Sequence, residues 1–194
     1  MPEAAARLLN LSLYQAGWFA CVLGGAQGRP WLGAAAGLVL VLAHLALVER
    51  RAEEAYFVAL AALAGTAIDS AQQAAGTAAF PSGHYAAWLC PGWLTVVWAQ
   101  FATLPCHSLV RLAGRPIVSA LLGAAGGPLA FLAGERLGGV RFPQGRTVGC
   151  AVLALVWGIA LPVLMRFSER SGAFPGRCRW QRTTTGPVSG VDGR

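Results

Sequence analysis

Residues 147–165 read Thr-Val-Gly-Cys-Ala-Val-Leu-Ala-Leu-Val-Trp-Gly-Ile-Ala-Leu-Pro-Val-Leu-Met, nineteen positions without one charged side chain. A bilayer has a hydrocarbon core about 30 Å thick and takes about 20 helical residues, because backbone amides left unpaired in lipid are too costly. This run therefore predicts a membrane-spanning helix. Working outward, five further apolar runs of similar length precede it: Leu8–Ala26, Trp31–Val48, Ala55–Gln73, Tyr85–Leu104 and Ile117–Leu137. Breaker and charged residues separate them, among them Gly28-Arg29-Pro30, Glu49-Arg50-Arg51, Pro81-Ser82-Gly83, Arg115-Pro116 and the segment 138–145. The expected fold is an all-α polytopic bundle of about six transmembrane helices over residues 1–170. A basic, disordered tail is expected over 171–194.

Composition agrees with this reading. Apolar residues make up 56% and charged residues only 12%, against about 25% charged in a soluble domain. A chain of this length cannot hide so much apolar surface from water, which excludes an ordinary soluble enzyme. The net charge of +7 would suggest nucleic acid in a soluble protein. Here the cations are all Arg and lie between apolar runs, as topology signals do, so no nucleic-acid partner is expected.

Cytoplasmic flanks are enriched in Arg. Arg7, Arg50, Arg51, Arg111, Arg115, Arg166, Arg170, Arg177, Arg179 and Arg182 fall on one set of flanks, and Arg29, Arg141 and Arg146 on the other, with Arg136 close to the boundary. Both termini are therefore expected in the cytoplasm. Cys21, Cys90, Cys106, Cys150 and Cys178 have no metal-type spacing and mostly lie in apolar runs. They read as packing residues, and neither a metal nor a cofactor is expected.

Polar residues placed in lipid are the candidates for function, since a carboxylate at mid-helix costs about 2.5–3.5 kcal/mol on insertion scales. Asp69, with Gln72 and Gln73, belongs to the outer half of the third run. Glu135 ends the fifth at a similar depth, so the two are expected to face one polar cavity with Arg136, Arg141 or Arg146 as counter-charges. Asp69 equally suits interhelical hydrogen bonding. A second group, Asn10, Gln15, Gln100, His107 and Arg111, belongs to the cytoplasmic half. His44, between Ala43 and Leu45, reads as structural. Gly123, Gly126, Gly127 and Pro128 form a notch for close helix packing. By this orientation Asp69 and His107 lie in opposite halves of the membrane.

Pro81-Ser82-Gly83-His84 matches the central motif of membrane phosphatidic-acid phosphatases. That chemistry needs a phosphate-binding Lys and a later nucleophilic His. The chain has no Lys and no His beyond His107, so the segment reads as an extracytoplasmic loop.

Several of these residues, in order, resemble a bacterial multi-pass membrane family known as domain of unknown function 2878. They are Asn10, Gln15 and Trp18; Trp31-Leu32-Gly33; Gly65 and Asp69; Pro91-Gly92-Trp93-Leu94; Trp98 with Phe101-Ala102-Thr103-Leu104; His107-Ser108-Leu109; and Gly123 to Ala130 with Ala133-Gly134. The resemblance runs from Leu8 to Met165. Pro105-Cys106 stands where the family tends to have a polar residue before the His, and Phe131 where Tyr is usual. The resemblance implies a bacterial inner-membrane protein without an established activity, encoded beside lipid-modifying enzymes that resemble cyclopropane-fatty-acid synthases. Membrane lipids, and such enzymes, are the partners it implies. The expected role is a component of membrane lipid or unusual fatty-acid metabolism; a small-molecule or ion transporter and a structural or assembly protein are the alternatives.

Overall fold

Each helix begins where a proline or a charged turn meets an apolar run. The computed structural model describes residues 3–170, so the tail expected over 171–194 lies outside the described residues. Six α-helices follow in order: α1 Glu3–Ala26, α2 Pro30–Leu47, α3 Arg51–Ala74, α4 Gly92–Phe101, α5 Pro116–Arg136 and α6 Arg146–Arg170. A short 3-10 turn, Val110–Leu112, precedes α5. Pro30 and Pro116 open α2 and α5, where the amide hydrogen that proline lacks has no helical partner to lose. Gly28 takes φ +70° in the tight turn from α1 to α2, a conformation that other residues rarely adopt. One antiparallel bridge, Ala79 with Arg141, ties the loop after α3 to the loop after α5.

Five of the six expected helices appear within a few residues of their predicted ends. The fourth is a correction, since the apolar run Tyr85–Leu104 forms a helix only over Gly92–Phe101. Pro91 is extended, with ψ 143°, and holds the chain out of the helix up to that point. Beyond Phe101 the chain breaks into consecutive turns, Leu104 N to Phe101 O at 3.0 Å and His107 N to Leu104 O at 3.0 Å, and Pro105 bars a return to regular helix. Ten residues rise about 15 Å, half a hydrocarbon core.

Three helices, α2, α5 and α6, are long and apolar enough to cross a membrane. Their outward faces carry exposed Leu38, Val39, Leu121, Leu129, Leu155 and Ile159, the surface expected against lipid rather than water. The chain is a membrane protein.

The helices fall into two groups. In the first, α1 to α4 pack on one another, with α1 against α2 and α4 against α1, α2 and α3; in the second, α5 and α6 form a hairpin. Small residues allow the closest approaches. A Cβ on Gly33 would strike the Ala20 carbonyl in α1, and one on Gly123 the Trp157 carbonyl in α6. The α5–α6 backbones stay away from the other helices, and large side chains bridge the seam: Trp157 and Leu164 against Trp98, and Phe131 against Phe80.

Candidate functional site

Buried polar groups gather at two levels of the bundle, and α3 carries an acid at each. Glu54, Val58, Ala61, Gly65, Asp69 and Gln72 recur every three or four residues and are all buried, so they form one inward stripe of that helix. Glu54 and Asp69 are 15 residues apart, about 22 Å along the axis.

At the upper level Asp69 is 1% exposed. Its Oδ2 accepts from the Trp98 indole at 2.7 Å, and its Oδ1 from the Gln72 amide at 2.9 Å. Trp98 stacks on Trp157 of α6, with centroids 4.7 Å apart and planes within 7°. Gly65 makes room for the Trp98 ring, since a Cβ there would fall inside the indole.

Beside this pair the seam opens into a cavity of about 220 Å³. Tyr14 and Trp18 of α1, Trp93 and Phe101 of α4, and Phe131 of α5 wall it, with Asp69 as the one carboxylate in the lining. Gly123, Gly126 and Gly127 form the α5 wall. Gly123 and Gly127 pack on Trp157, while a Cβ on Gly126 would meet nothing within 4 Å. The sequence notch therefore serves two purposes, packing on one side and open space on the other. The Trp157 indole N–H is buried and has no hydrogen-bond partner among the described residues. A shallower groove of about 570 Å³ runs along the outside between α1 and α5, with Gln15 and Arg136 in its lining, and shares Tyr14, Trp18 and Ala130 with the cavity.

Glu135 does not join this cavity, which corrects the expected pairing with Asp69. It lies at the end of α5 and accepts from Arg146 Nε at 2.8 Å, an ion pair whose Arg is 70% exposed. Both residues stand at the α5–α6 turn, where water competes for the pair. Gln73 turns the other way from Gln72 and donates to the Ala87 carbonyl at 2.9 Å, holding the loop before α4. His84 of the Pro-Ser-Gly-His motif contacts the carbonyls of Phe80 at 2.8 Å and Leu89 at 3.1 Å within that same loop.

At the lower level, the last turn of α2, the first turn of α3 and the turns after α4 converge. His44 Nε2 lies 2.5 Å from Glu54 Oε1, and His107 Nε2 lies 3.0 and 3.2 Å from the two Glu54 oxygens. All three side chains are at most 3% exposed. The imidazole rings stand edge to face with centroids 4.9 Å apart.

Asn10 of α1 organises the surroundings. Its amide donates to the Thr103 carbonyl at 3.2 Å and approaches His44 Nδ1 at 3.4 Å, while its oxygen accepts from the Ser108 hydroxyl at 2.6 Å and the Ser108 amide at 3.3 Å. Two imidazoles and a carboxylate make a donor set suited to proton exchange or to a transition-metal ion.

Of the lower group expected from sequence, Asn10 and His107 meet here. Gln100 is buried next to it against Gly17, Gly37 and Cys21. Gln15 and Arg111 are exposed and stand apart. Sequence reasoning left out Glu54, and took His44 as structural; the inward stripe of α3 was the signal that groups Glu54 with Asp69. The two levels sit at opposite ends of α3, so Asp69 and His107 belong to separate sites.

Comparison with curated proteins and with solved structures finds no match. A family profile described as protein of unknown function (DUF2878) matches residues 7–163, a span that covers all six helices apart from their outermost ends and includes both buried clusters, and the chain belongs to that family.

Proposed function

We propose that the chain is a six-span protein of the bacterial inner membrane, both ends in the cytoplasm, that handles membrane lipid or an unusual fatty acid by holding an acyl chain in the seam cavity. The observation that carries the reading is the aromatic cavity in the seam, with the Asp69 carboxylate in its lining. Apolar cavities of roughly 150 Å³ hold a benzene-sized guest, so about 220 Å³ admits a stretch of hydrocarbon. The groove between α1 and α5 gives a lateral route from the bilayer, and Arg136 in its lining suits an anionic headgroup. The Arg7, Arg50 and Arg51 end is the cytoplasmic one by the positive-inside rule.

The test is lipid retention. Wild-type protein purified in mild detergent retains acyl lipid, read by mass spectrometry of its extract, and Gly126→Leu retains at least tenfold less while keeping its abundance and melting temperature. The leucine enters open space, so folding is spared. Equal lipid retention by the two proteins refutes the reading. In a deletion strain, the same hypothesis expects an altered fatty-acid profile, and an unchanged profile under membrane stress counts against it.

A further inference from the structure

We infer that His44, Glu54 and His107 bind one divalent transition-metal ion, with Zn²⁺ the best fit, at a buried site distinct from the lipid cavity. The ligand atoms, one from each residue, lie within 4.8 Å of one another. Zinc bonds of about 2.0–2.1 Å in a tetrahedron set neighbouring donors roughly 3.3 Å apart. The His107 contacts to the two Glu54 oxygens, 3.0 and 3.2 Å, already have that spacing. His44 approaches one of the same oxygens at 2.5 Å and needs only a small outward shift. Each of the three residues supplies one donor, which leaves the fourth tetrahedral position to a water or another small ligand.

The ligand types and their burial favour an ion. Imidazole nitrogen and carboxylate oxygen are the donors that zinc takes when no thiolate is present. A carboxylate withdrawn from water is costly unless its charge is compensated, and a divalent cation held between it and the two imidazoles would do so.

The surroundings are those of a metal site as well. Coordination through Nε2 leaves His44 Nδ1 toward the Asn10 side chain, 3.4 Å from its amide nitrogen. A partner that holds the distal ring nitrogen is the usual support of a metal-binding His. The ion would join the end of α2 and the start of α3 to the non-helical turns that carry His107, a segment with no ladder of its own.

The experiment uses the full chain without a polyhistidine tag, purified in detergent. Elemental mass spectrometry is expected to find about one zinc per chain. After chelator treatment, added Co²⁺ is expected to give the visible absorption bands of a tetrahedral site. Glu54→Gln and His107→Ala are expected to lose the ion, and Asn10→Ala to weaken Co²⁺ affinity about ten- to a hundredfold. Asp69→Asn is expected to bind normally. Because a ligand variant can fail to fold, the wild type is decisive on its own: folded, chelator-stripped protein that takes up neither Zn²⁺ nor Co²⁺ at micromolar concentration overturns the proposal. An ion that survives both ligand substitutions in folded protein overturns it too, by placing the metal elsewhere. Lipid retention is read separately, so either proposal can fail alone.

Discussion

Gly65→Ala replaces one hydrogen by a methyl group and should be among the most damaging small changes in the bundle. The new Cβ would overlap Cγ, Cδ2 and Cε2 of Trp98. The indole has nowhere to move, being stacked on Trp157 at 4.7 Å and anchored to Asp69 at 2.7 Å. Overpacking costs about 1–3 kcal/mol. A shift large enough to relieve it breaks the Asp69 bond, and a buried acceptor without its donor costs about 1–3 kcal/mol more. The sum, roughly 2–6 kcal/mol at about 2–4 °C per kcal/mol for a chain of this length, lowers the melting temperature by roughly 5–20 °C. Tryptophan fluorescence in one detergent at one heating rate reads it, since the unfolding of membrane proteins is often irreversible. Gly126→Ala is the control: its Cβ meets nothing within 4 Å, so that variant melts with the wild type. A Gly65→Ala protein that melts within about 1 °C of the wild type would show that Trp98 is not confined, and the account of the seam would fall with it.

Other substitutions separate what is built in from what is incidental. Arg146→Ala removes the ion pair with Glu135, but with the arginine 70% exposed the change in stability stays within about 0.5 kcal/mol by thermal unfolding. Ser82→Ala removes the 2.6 Å bond from its hydroxyl to the Gly25 carbonyl. About 1 kcal/mol of local stability is lost, so hydrogen exchange across residues 75–91 speeds up about fivefold, with α5 and α6 unchanged. Gly33→Ala presses a methyl group on the Ala20 carbonyl and should cost about 1–3 kcal/mol by the same thermal assay, because backbone cannot move aside as a side-chain tip can.

The helices were legible where hydrophobic length and punctuation agreed. α2, for example, runs from Pro30 to the charged Glu49-Arg50-Arg51 turn and sits where the sequence puts it. The run from Tyr85 to Leu104 misled because hydropathy reports burial and not backbone conformation. Residues 102–107 are all buried, yet they form turns. Asn10 and His107 were legible as a pair at one depth. Glu54 was not, since Arg50-Arg51-Ala52-Glu53-Glu54 looks like a solvated helix start, and Glu53 does behave so in its 2.8 Å pair with Arg50. Adjacent glutamates one position apart on a helix differ by 100° in direction. That rotation sends Glu53 outward and Glu54 into the core. The expected Asp69–Glu135 cavity failed for a similar reason: depth along two helices was inferred, but the face of α5 that bears Glu135 was not.

Both buried sites follow from the early end of α4. A helix continued through His107 would satisfy the Thr103 carbonyl with its own amides and need no partner from α1 there. Stopping at Phe101 leaves the next carbonyls unpaired inside a low-dielectric bundle, where each needs a donor. Asn10 meets that need at Thr103, and its oxygen takes the Ser108 amide, so one buried amide closes both edges of the break. The turns then carry His107 to Glu54, while the helical part keeps Trp98 on Asp69. A regular helix from 92 to 107 would turn through a fixed 100° per residue and would put Trp98 and His107 nine residues and 900° apart, on opposite sides. The break lets both reach the same inward stripe of α3, and the buried polar residues at this level are the condition for it.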